Sequence, residues 1–195
     1  MLIKTELLNA IAGKNRGILA SPIDKQAILA NIAQLEDRNP TPNPLEASEL
    51  LDGNWRLLYT TSQELLRLDQ FPVLKLGEIY QFIRVSTTKI YNVAELYGFP
   101  LLESIVSVVA RFEPTSKRRV QVRFERGIVG PQRLIQYRSV STFVEQIEAG
   151  QKFVALDFQI NRENQQGWLD ITYLDPDLRI GRGNEGSVFV LAKSP

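Results

Sequence analysis

The spacing of apolar residues changes once along this chain, from a helical repeat to a two-residue repeat, near residue 53. Ile3, Leu7, Leu8 and Ile11 mark one helical face that stops at Gly13. Ser21 is placed to cap a second helix, with Pro22 at its first position and Asp24 in its first turn. Ile28, Ile32 and Leu35 continue that helix's apolar stripe. The run 39–44, Asn-Pro-Thr-Pro-Asn-Pro, interrupts the pattern, because proline lacks an N–H and biases its predecessor to extended geometry. Asn43 and Glu46 have the spacing of a capping box for a short helix through Leu51.

Downstream the period is two. Trp55, Leu57 and Tyr59 alternate with Arg56, Leu58 and Thr60. Val120, Val122 and Phe124 alternate with Arg119, Gln121, Arg123 and Glu125. Val154, Leu156, Phe158 and Ile160 alternate with Phe153, Ala155, Asp157 and Gln159. Further strands are predicted at 79–85, 89–97, 105–112, 134–144, 169–174 and 187–193. The chain therefore reads as mainly β with N-terminal helices: a helical segment over 1–52, then an antiparallel sandwich or barrel over 53–195. Eight to nine strands are enough for closure, and an eight-stranded barrel can hold one small ligand.

Composition narrows the function. The chain of 195 residues carries a net charge of +1 with its basic residues scattered, so no nucleic-acid partner is expected. It contains no Cys and no His, which excludes disulfides, Cys/His zinc sites, thiolate nucleophiles and any Ser-His-Asp arrangement. No D-x-D-x-D-G loop is present, and neither a metal nor a cofactor is expected. An enzyme built from what remains would need carboxylates converging in a cleft, such as Asp157 with Asp170 or Glu95; the chain is expected to be non-catalytic. Residues 181–186 match G-x-G-x-x-G, but a strand pattern follows where a dinucleotide site needs a helix, so these glycines read as turn positions. No signal peptide is visible, and the most apolar stretch, 99–110, is too short to span a bilayer; the expectation is a soluble or peripheral protein.

Several motifs point to apolar ligands, each with a plainer reading beside it. Gly53-Asn54-Trp55 sits at the switch from helix to strand and resembles the start of lipocalins, where an arginine covers the tryptophan. Arg179 and Arg182 are the candidates for that cover; the plainer reading is a core tryptophan with exposed arginines. Trp55, Tyr59, Phe82, Tyr91, Phe124, Tyr137, Phe158, Tyr173 and Phe189 are candidates to line a barrel cavity, or else to fill it. Thr60, Ser139, Ser141, Asp157 and Gln159 are candidates to hold a polar head. Two apolar connections, 65–76 and 99–102, would dip into a lipid interface or fold as a lid, and Lys117, Arg118 and Arg119 form a basic tip.

Taken together, 39–44, 53–62 and 173–193 resemble the plastid lipid-associated protein/fibrillin family. The resemblance implies a lipocalin-like β-barrel with associated helices as one domain, in which Asp175, Arg179 and Arg182 occupy a C-terminal charged motif. It also implies non-catalytic association with carotenoids, quinones or acyl lipids at the thylakoid surface, with roles in lipid storage and photoprotection. The lack of a transit peptide points to a cyanobacterial member, cytoplasmic or peripheral to the thylakoid. The alternative is a membrane-associated scaffold with a filled barrel that binds a protein partner.

Overall fold

The computed structural model describes residues 2–63, 75–98, 103–160 and 166–194. The predicted 65–76 and 99–102 connections lie outside them, apart from Lys75 and Leu76. Helix α1 (Leu2–Ile11) buries Leu7 and Ile11. Helix α2 (Pro22–Glu36) starts at a capping box: the Ser21 hydroxyl accepts from the Asp24 amide, and the Ser21 amide donates to the Asp24 carboxylate at 2.9 Å. Asn43 and Glu46 pair through their side chains at 2.9 Å and close a turn, and the short helix α3 (Ser48–Leu51) begins only after it.

Eight antiparallel strands then close a barrel. They are β1 (Gly53–Thr60), β2 (Lys75–Arg84), β3 (Lys89–Tyr97), β4 (Ser104–Pro114), β5 (Arg119–Pro131), β7 (Gln166–Leu174), β8 (Leu178–Gly183) and β9 (Val188–Ser194). The order is β4-β3-β2-β1-β9-β8-β7-β5, and β4 pairs with β5 to complete the ring. A ninth strand, β6 (Leu156–Gln159), lies outside the ring: β7 occupies Arg119–Arg123 of the β5 edge, and β6 occupies Arg126–Val129. Between those stretches the β4–β5 register skips Glu125, a bulge.

The predicted strand 134–144 is instead helical. Helix α4 (Gln132–Ile135) ends at Gln136, which has φ +58°, and helix α5 (Val140–Glu148) follows, capped by Ser139. Val140, Phe143, Val144 and Ile147 fall on one helical face, and burial of that face against the barrel overrides the local alternation.

The core has three parts. Inside the barrel, Trp55, Leu57, Ile83, Ile90, Ala110, Phe112, Ile171 and Leu191 come from strands all round the ring. Outside it, α1 and α2 cover Tyr59, Tyr173, Ile180 and Val190. On another side of the wall, α5 covers Phe82, Tyr91, Val93, Ile105 and Ile128. Gly17 ties the helical segment to the wall: at φ +107° a Cβ there would lie 2.7 Å from the Thr60 carbonyl oxygen, so only glycine fits.

Candidate functional site

The two ends of the barrel differ. At one end α3 leads directly into β1, and the turns 85–88, 115–118 and 175–177 cluster there. Trp55 stands inside this end, fully buried, its indole N–H donating to the Leu51 carbonyl at 2.9 Å. The Arg179 guanidinium lies 5.1 Å from the ring centroid and the Lys193 ammonium 4.5 Å. Arg179 is 2% exposed, its one hydrogen-bond acceptor among the described residues is Gln81, and burial lowers its pKa to about 9. Gln81 in turn donates to Asn92 at 2.9 Å. Lys193 donates to the carbonyls of Leu50 and Asp52, which ties the last strand to α3. The void bounded by Leu45, Leu51, Phe112, Ile171 and Arg179 measures about 10 Å³. That is room for one water at most, so this end is filled and plugged.

Arg179 thus stands where a lipocalin-type cover would, and Arg182 does not. Arg182 grips Glu36 at the end of α2, with N···O distances of 2.8 and 2.7 Å, and Glu36 also accepts from the Thr172 hydroxyl. Asp175 holds α1: its carboxylate accepts from Lys4, Tyr173 and the amides of Asp177 and Leu178. Asn39 and Thr41 bond the backbone of Leu174. The 39–44 run and the C-terminal block, distant in sequence, therefore meet on one strand end.

At the opposite end of the barrel the described side chains are largely apolar. Val106, Phe124 and Phe189 pack on the inner core but stay partly exposed. Strand β6 continues their surface. Phe158 pairs with Gly127 and Leu156 with Val129, on the inward face of β5, and these side chains are 51% and 71% exposed. Tyr97, Leu134 and Val154 are exposed at the same end. The result is an exposed apolar lip at this end, the type of patch that marks an interaction site.

Of the nine predicted lining residues, the structure brings Trp55, Phe124 and Phe189 to the barrel interior. Tyr59 and Tyr173 point outward under α1 and α2, because register shifts between Leu57 and Tyr59 and between Ile171 and Tyr173 change the phase of the alternation. Phe82 and Tyr91 lie under α5, on a wall face that is also buried because a helix covers it, and Tyr137, in the turn before α5, packs against Phe143. Phe158 is on the lip. Sequence reasoning missed Lys193 at the plug; its alternation with Leu191 was the available signal.

The carboxylates weighed for catalysis are each engaged separately. Asp157 pairs with Arg126 at 2.6 Å, Asp170 with Arg119 at 2.6 Å, and Glu95 accepts from Tyr97 and Tyr137. Arginine bonds hold the Asp157 and Asp170 carboxyls below their ordinary pKa. Burial pushes Asp175 up, but Lys4, Tyr173 and two amides outweigh it and hold it low. A depressed folded pKa stabilises above the unfolded value of about 3.9 and is lost as pH falls through the folded value. The melting temperature is therefore expected to be flat above about pH 5 and to fall below about pH 4, with a shallower acid slope in Lys4→Met. An acid slope unchanged by that substitution would remove Asp175 from the account.

Comparison with known proteins gives a consistent set of relatives. The PAP_fibrillin family matches residues 1–192. The chain is 36% identical to a probable plastid-lipid-associated protein 2 of Arabidopsis thaliana, over 98% of this chain and 70% of that protein. It is 36% identical to a light-induced chloroplastic protein of Solanum demissum, over 98% of this chain and 67% of the relative. It is 34% identical to a chromoplast-specific carotenoid-associated protein of Cucumis sativus, over 98% and 67%. No solved structure gives a significant match.

Proposed function

The chain belongs to the PAP_fibrillin family, and from that premise we propose that it binds apolar lipids or isoprenoids without catalysis, through the apolar lip of its barrel, at the surface of a thylakoid membrane or lipid body. The observation that carries this reading is the apolar lip, where Leu156 and Phe158 extend the inner surface of the barrel into solvent. The names of relatives, plastid-lipid-associated and carotenoid-associated, supply the class of ligand. Burial of lipid methylene groups against the lip drives association at about 0.8 kcal/mol per CH₂. Storage or photoprotection of such lipids is the role that follows. Among the described residues no helix is long and apolar enough to cross a membrane, and docking by the lip needs none.

A scaffold with a filled barrel is the second reading, and the void of about 10 Å³ beside Arg179 favours it for the plugged end. The two are separated by the double variant Leu156→Asp, Phe158→Asp. Both residues are already exposed, so the fold is expected to persist, while binding to β-carotene-loaded phosphatidylcholine vesicles falls at least tenfold in flotation assays. Wild-type protein that fails to float with such vesicles sinks the lipid reading and leaves the scaffold.

A further inference from the structure

Outside the barrel, a groove of about 650 Å³ runs from the β2–β3 turn across β3, β4 and β5 to β6, with the end of α5 as one wall. This size lies within the range of small-molecule sites. Its floor is Tyr91 and Val109, both 3% exposed. Its charged rim is balanced: Arg84, Lys89 and Arg126 face Asp52, Glu125 and Glu148. Most of these charges are already tied. Arg84 bonds Glu148 at 3.1 Å and lies 3.9 Å from Asp52, Lys89 and Arg111 hold Glu125, and Arg126 holds Asp157.

A groove whose charges cancel offers an ion little net attraction, and its many polar atoms make it a poor fit for a tail. What it offers is a dense, pre-oriented set of donors and acceptors, which suits vicinal hydroxyls. The bulge at Glu125 and the Lys89 and Arg111 bonds fix one carboxylate; Arg84 and the Tyr91 hydroxyl, 3.3 Å away, fix Glu148. Ser86, Thr87 and Gln159 add neutral partners. Burial and the Glu148 charge push the Tyr91 phenol up to about 12, so it stays protonated and keeps its one proton on Glu148, holding that carboxylate in place.

The groove also adjoins the lip. On β6, Gln159 lines the groove while its neighbour Phe158 stands on the lip, on the opposite face of the same strand. A single strand therefore separates a polar site from an apolar one.

We infer that this groove reads an uncharged, hydroxyl-rich group, and specifically the sugar headgroup of a lipid whose tails lie on the lip. The tail half of this inference rests on the proposed function; the groove half does not. The test compares vesicles of phosphatidylcholine alone with vesicles containing a quarter monoglucosyldiacylglycerol or a quarter phosphatidylglycerol. Methyl β-glucoside is titrated in parallel by NMR. Sugar-headed vesicles are expected to bind at least fivefold better than phosphatidylcholine alone, and Glu148→Gln to bring that ratio close to one. Methyl β-glucoside is expected to shift the amides of 84–91 and 147–148 in a saturable way. Equal binding to all three vesicles, or a preference for the anionic lipid, overturns the inference while the lipid reading stands. If no vesicle binds, the lipid reading fails, and the glucoside titration alone decides whether the groove takes sugar.

Discussion

Trp55→Ala is expected to cost about 3–5 kcal/mol, the usual range for deleting a buried aromatic side chain without collapse of the site. Trp55 is 0% exposed and sits where collapse is hardest, between α3 and a closed ring of strands. Its loss removes the aromatic face shared by Arg179 and Lys193 and leaves two cations beside a cavity. Urea unfolding checks the prediction, with Trp168 as the remaining fluorophore, since the chain has two tryptophans. Arg179→Met is the informative companion. Burial penalises that guanidinium, and replacing a buried charge by an apolar group of similar length is often neutral. Its expected cost is within about 1 kcal/mol, part of it the acceptor left open on Gln81. If Arg179→Met proves as costly as Trp55→Ala, the cation and not the indole holds the plug together.

The second large effect is expected at Phe143, again at about 3–5 kcal/mol for Phe143→Ala. Phe143 is 0% exposed and packs edge-on against Tyr137, with centroids 5.7 Å apart, and tilted against Phe153 at 5.1 Å. It is the residue through which α5 covers the outer wall of the barrel. Hydrogen exchange is the measurement: protection of 140–148 is expected to fall first, ahead of the β1 and β9 amides. Loss of protection in all of them together would mean that α5 and the barrel unfold as one unit.

These two residues also show how far the sequence could be read. Trp55 was legible, because Gly-x-Trp at a change of period marks the opening of a barrel strand, and Arg179 was within reach of it. Phe143 was read as part of a strand, because 134–144 alternates well enough to hide the helical spacing of Val140, Phe143, Val144 and Ile147. Facing was the harder problem. Alternation separates inside from outside only where one face meets water, and here helices bury the outer face as well, over Tyr59 and Tyr173 on one side and Phe82 and Tyr91 on the other. Bulges beside Tyr59, Glu125 and Tyr173 add phase changes that no local residue type announces. The links from Lys4 to Asp175 and from Glu36 to Arg182 join residues too far apart in sequence for any pattern to connect. The charged C-terminal motif was visible; its division between two helix clasps and a plug was not.

The pairing of β1 with β9 has a consequence for the order of assembly. Asn54 finds its partner in Ser194 and Trp55 in Lys193, so the first strand of the barrel to be synthesised waits for its last. Contacts of such long sequence separation form slowly. Until 188–194 emerges, β1 and β8 both present unpaired edges, and Asp175 and Arg182 have only just become available to the waiting helices. A nascent or truncated chain that stops before β9 is thus an open sheet with two sticky margins, the form most exposed to aggregation and to chaperone capture.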